Sequence, residues 1–227
     1  RCVYSFCMCP GGLVVGATSE PGRVVTNGMS QHSRNERNAN SGIVVNIEPA
    51  DVEPYGAFPG DPLAGVAFQR HWEARAYALG GASFAAPGQR LGDFLAAQPS
   101  AALGAVQPSY APGVTLTDLS NALPDYAIDA LREALPAFNS NIPGYAMDDA
   151  MLTGVETRTS SPLRLPRDQQ LESVNTPGLY PAGEGAGFAG GILSAAIDGI
   201  RVAEAVALTR LRREHPSAPA ESACGPA

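Results

Sequence analysis

Lysine is missing altogether: the 15 basic residues are all arginine, outnumbered by 22 aspartates and glutamates for a formal charge of −7. An acidic balance without a basic stripe excludes nucleic acid as the main partner. The lack of lysine beside 37 alanines reflects base-composition bias and carries no mechanistic weight. Long apolar runs are lacking too. None nears the ~20 residues a membrane-spanning helix needs, so no membrane partner is expected. Cysteine is confined to positions 2, 7, 9 and 224, a spacing that makes no disulfide framework, and a reducing cytoplasm is the expected setting. Histidine occurs only at 32, 71 and 215, with neither triad nor metal-site spacing, and there is no G-x-S-x-G elbow. A metal centre and a hydrolase therefore have no basis in the sequence. No initiating Met and no leader-like segment stand at Arg1; no signal peptide is visible, and the chain is expected to be a fragment of a longer gene product.

What is present is an ordinary globular composition, 44% apolar over 227 residues, enough for one large domain or two small ones. Residues 1–60 are predicted to be β-rich. Val3–Phe6 and Leu13–Ala17 flank the turn Pro10-Gly11-Gly12 as a hairpin would, with further strands at Arg23–Thr26 and Gly42–Ile47. Between these, Asn27–Ser41 is a long polar loop of the kind that is usually functional or mobile. Residues 61–150 read as a helical insertion. Asp61-Pro62 opens a helix running to Leu79, a short helix follows near Leu91–Ala97, and Asp125–Leu135 carries Ala127, Leu131 and Leu135 on one stripe. Residues 151–214 return to strands, at Val155–Arg158, Leu163–Leu165 and Leu179–Ala182, before a helix from Ile192 to Arg213. That helix presents Ile192, Ala195, Ala196, Gly199, Val202, Ala203 and Val206 on an apolar face. Residues 215–227 are predicted to be a disordered tail. The fold class is mixed α+β.

Gly185-Ala186-Gly187-Phe188-Ala189-Gly190 satisfies G-x-G-x-x-G between a strand and a helix. Glycines let backbone approach a ligand closely, and free amides at a helix start favour an anion or an electron-rich oxygen. A Gly-rich turn that merely packs a helix on a strand fits the same pattern. It is not the opening fingerprint of a dinucleotide fold, because no strand follows the helix to hold a ribose.

Four stretches carry a resemblance: Tyr4–Gly12 (YSFCMCPGG), Thr26–Ser30 (TNGMS), Gly154–Pro162 (GVETRTSSP) and Gly178–Gly187 (GLYPAGEGAG). In this order they resemble the C-terminal half of a bacterial family of uncharacterised FAD-dependent dehydrogenases of the two-dinucleotide-binding flavoprotein class. The resemblance covers roughly residues 1–208 and implies an N-terminal FAD-binding Rossmann segment outside this chain. It implies that residues 1–60 form a substrate-side region and that the last strand and helix contact FAD. Gly183 and Glu184 match the glycine and acidic residue near the ribityl chain or pyrophosphate. Gly185 and Gly187 would pass close to the flavin, and Gly190, Gly191 and Ile192 would form the turn facing its pyrimidine edge. The implied activity is hydride transfer through flavin, on an unidentified small molecule, with NAD(P)H a partner open to the class. The alternative is a non-catalytic binding module that does not retain FAD as an isolated chain.

No catalytic acid or base is assigned. Cys7 and Cys9, two apart, would share one strand face with Cys2 opposite; buried thiols are the plain reading, although the resemblance keeps both as substrate-side candidates. In the polar loop, Arg34 offers a bidentate cation and Asn38, Asn40 and His32 offer hydrogen bonds; a solvated loop with Asx turns fits equally. Arg158 suits an anion near the ring, or else an ion pair with Glu156 or Asp168. Glu184 is alternatively an ordinary carboxylate at a helix start.

Overall fold

The computed structural model describes residues 1–214 and has two compact units, the first spanning 1–159 and the second beginning at 160. The disordered tail expected at 215–227 lies outside the described residues. The class is mixed α+β, with small sheets and helices in the first unit.

In that unit, β1 (Val3–Cys9) pairs antiparallel with β4 (Asn40–Val45), and β2 (Leu13–Gly16) with β3 (Thr26–Met29). The expected β1–β2 hairpin does not form. β1 is matched by β4 as far as Cys9↔Asn40, and β2 pairs forward across the turn at Pro21-Gly22. The third strand also begins later than expected, at Thr26. A bulge between Phe6 and Cys9 places Cys7 at φ +52°. One extra residue in a strand re-aims the side chains beyond it, so Cys7 is exposed while Cys9 is buried. The two thiols do not share a face.

A short helix, α1 (Pro49–Val52), leads to α2 (Ala64–Leu79). Asp61 does not start α2. Its carboxylate accepts from the amides of Ala57 and Leu63, holding the turn before the helix. Phe68 and Trp72 meet edge to face, with Phe68 buried.

The middle stretch is less helical than its sequence suggests. β5 (Ala86–Arg90) is the centre of a three-stranded sheet, parallel to β6 (Val114–Leu116) and antiparallel to β7 (Met151–Thr153). Between β5 and β6, α3 (Leu91–Leu95) buries Leu91 and Phe94. α4 (Asp125–Asn141) buries Ala127, Ile128, Leu131 and Leu135 and runs past Pro136. An interior proline removes a helical hydrogen bond. The following turn is held nonetheless, by Phe138 against the Tyr145 ring and by Asn139, whose side-chain oxygen accepts from Gly144 and Ala146. The hydrophobic core of this unit gathers Val24, Ala76, Leu91, Phe94, Leu119, Ile128, Leu135 and Val155.

The unit from residue 160 contains α5 (Ile192–Glu214). Val155–Arg158, Leu163–Leu165 and Leu179–Ala182 are not strands. A strand needs a ladder, and the described residues here supply isolated bonds, such as Ser173 N–H to Leu179 O, and one bridge, Arg167↔Ser173. Of the apolar face expected on α5, only Val202 is buried, and Ile192 is 87% exposed. No helix among the described residues is long and apolar enough to cross a membrane.

Candidate functional site

The glycine segment is a turn fastened to α5 by one buried ion pair. Asp198, on the second turn of the helix, accepts from both terminal nitrogens of Arg167, at 2.6 and 3.0 Å, and from the Gly183 amide at 2.8 Å. Arg167 also donates to the Pro181 carbonyl, and its guanidinium lies 3.7 Å from the centre of the Phe188 ring. The Arg167 bond, followed by the Gly183 amide, holds the Asp198 carboxyl below the usual carboxylate range. Neither residue stood out in the sequence. The signal was there, however: an acid two turns from a glycine run, on a helix otherwise poor in charge at its start.

The individual glycines divide into two kinds. Gly183 and Gly187 have φ of +70° and +81°, where other residues are strained. A side chain at Gly187 would also meet the backbone of Leu163 and Arg164. Gly185, Gly190 and Gly191 have no such φ. A Cβ built there would meet nothing within 4 Å at Gly185 and Gly190, and at Gly191 only the Ser194 hydroxyl at 3.7 Å. Among the described residues, nothing in the packing requires glycine at these three positions. Gly190, Gly191 and Ile192 are exposed at the start of α5, where Gly191 O accepts the Ala195 amide. Glu184 is half-buried, and its carbonyl accepts the Gly187 amide.

The substrate-side candidates are distributed over the 1–159 unit. Arg158 pairs neither with Glu156 nor with Asp168. Its Nε and Nη2 donate to the two oxygens of Glu73, each at 2.8 Å, and Nη1 donates to Ser19. Glu73 is completely buried and also accepts from the Thr157 hydroxyl. The Glu73 carboxylate in turn raises the pKa of the Arg158 guanidinium. Arg34, at φ +50°, and His32 are exposed on the loop. Cys9 donates its thiol to the Cys7 carbonyl. Glu156 is a half-buried carboxylate whose pKa is raised by desolvation, partly offset by the Thr159 hydroxyl.

Asn38 and Asn40 come together at a cavity of ≈ 520 Å³ bounded by β1, β4, α4 and the 104–109 loop, with Arg37 and Tyr145 also in its lining. The Asn38 side chain donates to Gln107 O at 2.7 Å and Arg37 Nη2 to Ala105 O at 2.9 Å, so the polar loop staples this wall. Tyr145 exchanges hydrogen bonds with the hydroxyls of Ser41 and Ser5. The Asn40 amide lies in a slot between Gly12 and Gly28, where a Cβ on either would collide with it, and its nitrogen and oxygen are buried without partners among the described residues. Arg37 and Tyr145 were not singled out by sequence reasoning, because neither belongs to a motif. Among the described residues no cluster of three or more His, Cys, Asp or Glu side chains suits a metal ion.

Residues 1–159 match the family described as "FAD-dependent protein, C-terminal domain-like". The chain is also 56% identical over 204 residues to an uncharacterised protein of Clostridium beijerinckii, an alignment covering 90% of this chain and 37% of that protein. The chain therefore belongs to the FAD-dependent protein C-terminal domain family. It spans little more than a third of the length of this relative.

Proposed function

We propose that this chain is the C-terminal portion of an FAD-dependent oxidoreductase of the dehydrogenase type, with the Gly183–Ile192 turn facing the cofactor and the 1–159 unit carrying the substrate side. The observation that carries this reading is the set of three glycines, Gly185, Gly190 and Gly191, that neither the backbone nor the packing of the described residues requires. Bare backbone of that kind accommodates a ligand at close approach. The residues present suit a flavin: exposed amides at the start of α5 favour negative charge, and Asp198 with Arg167 fixes the turn that presents them. FAD, when bound, supplies the hydride-accepting ring. The chain's own part is to hold the turn rigid and to offer donors where charge develops.

Two measurements test this. The full-length parent is expected to purify yellow and to lose flavin when Gly191 is replaced by valine, whose branched side chain projects into the space left open. Normal flavin content in Gly191→Val would remove the assignment of the turn. The isolated chain, titrated with FAD, distinguishes a self-sufficient site from one completed elsewhere. Quenching of flavin fluorescence with a gain in melting temperature gives the first, and no response the second.

A further inference from the structure

The ≈ 520 Å³ cavity of the 1–159 unit falls within the ~300–1,000 Å³ typical of small-molecule sites. Its walls are mainly aliphatic, from residues such as Val14, Ile43, Leu91, Leu135 and Leu152. Three of the chain's four methionines, Met8, Met147 and Met151, stand in the lining. Methionine is the apolar side chain that best adapts to a guest of variable shape. Met8, Ile142 and Met147 are each about half exposed, so the apolar surface continues outward to solvent.

Charge in the lining is one-sided. The chain carries 22 carboxylate side chains and a net charge of −7, yet among the described residues no acidic one lines this cavity. Arg37 is its one charged lining residue among those described. Its Nη2 is tied to Ala105 O, which orients the guanidinium. No carboxylate lies within ion-pairing distance of it among the described residues, and its other nitrogens have no protein acceptor there. The remaining polar lining groups are neutral: Asn38, Asn40, Ser41, Ser109, Tyr145 and Thr153.

We propose that this cavity binds an apolar monocarboxylate, with the carboxylate at Arg37 and the hydrocarbon body against the methionine and leucine walls. A guanidinium with a free donor edge matches a carboxylate's two oxygens. The aliphatic walls gain from a chain or ring withdrawn from water. An acidic lining would repel such a guest, and none is present among the described residues. The proposal gives a substrate class to the oxidoreductase reading and rests on it for that role alone; binding is measured without flavin, so either can fail while the other stands.

The test is calorimetric titration of the 227-residue chain with decanoate, and with decan-1-ol as the uncharged counterpart. Saturable one-to-one binding of decanoate is expected, with the alcohol about tenfold weaker or more, equivalent to ~1.4 kcal/mol. Arg37→Glu is expected to weaken decanoate by at least about tenfold, and Arg37→Lys, which keeps the charge, by about threefold or less. Val106→Trp, which fills the cavity from the 104–109 loop, is expected to abolish binding. Ala150→Phe fills it from the segment just before β7 should the first variant not fold, as judged by circular dichroism. The proposal is overturned by absence of saturable decanoate binding at about 1 mM, by equal affinity for the alcohol, by an Arg37→Glu variant that binds normally, or by binding that survives a folded cavity-filling variant.

Discussion

At the scale of single residues, the most buried acid among those described is Glu73, and its cation is Arg158. Arg158 neutralises Glu73, a carboxylate with no exposure at all, through two parallel hydrogen bonds. Removing one partner of such a pair strands a buried charge, which costs about 3–5 kcal/mol. Because Arg158 is one-third exposed, Arg158→Ala is expected at the lower end, about 3 kcal/mol in chemical denaturation. Replacing both partners by Leu and Met is expected to cost less than Arg158→Ala alone, since no charge is left buried. A single variant as stable as the parent chain would show that the pair is solvated. Asn40 poses a second residue-scale question. Its amide occupies the slot formed by Gly12 and Gly28. Gly28→Ala is expected to destabilise the unit by ~1–3 kcal/mol through overpacking. Asn40→Ala in the same chain should recover part of that loss, and a double-mutant cycle measures the coupling. Strict additivity would mean that the slot relaxes without Asn40.

At the scale of elements, patterned segments were legible and assembled ones were not. β1, β2, α4 and α5 announce themselves through β-branched runs, an apolar stripe, and glycines before a long helix. β5 does not: Ala-Pro-Gly-Gln-Arg reads as a turn, since proline and glycine both weaken strand propensity. Only the tertiary setting makes it the central strand, where Gly88 admits Val114 and Gln89 accepts the Leu119 amide. The failure at Leu179–Ala182 is the converse, an apolar run with strand propensity but no ladder beside it. The glycine turn itself is visible in the sequence, and so is an acid two turns beyond it, whereas the pairing of Asp198 with Arg167 is not, because the two are 31 residues apart. That anchor has a pH signature. Asp198 titrates below its unfolded value, so its stabilising contribution is present above the ordinary carboxylate pKa of ~3.9 and is lost as pH falls through the depressed native value. Asp198→Asn is accordingly expected to melt lower than the parent chain near pH 6, with the gap closing towards pH 2. A gap that stays constant over that range would dissociate Asp198's charge from the turn.

At the scale of the whole molecule, the two units differ in what they bury. Every residue of the hydrophobic core cluster lies at or before Val155. From residue 160 onward, the buried apolar residues among those described are Pro181, Ala186 and Val202, while Ile192, Leu193, Ile197 and Ile200 are each more than half exposed. Folding free energy comes chiefly from apolar surface removed from water, and small units with little of it are marginal. The family match ends at residue 159, where the first unit also ends. Residues 1–159, expressed alone, are therefore expected to unfold in urea as one cooperative transition, seen together by fluorescence of Trp72 and by circular dichroism. Residues 160–227 alone are expected to show partial helicity from α5, since an isolated helix is length-limited and weakly stable, and to melt without a sigmoidal transition. A cooperative melt for 160–227, or its absence in 1–159, would mean that stability is distributed differently from the buried surface. If both expectations hold, the glycine turn belongs to the less stable unit, and flavin binding in the parent should stabilise that unit selectively. Protection of α5 amides from hydrogen exchange on adding FAD to the parent would register this, with the amides of α3 and α4 serving as the unchanged reference.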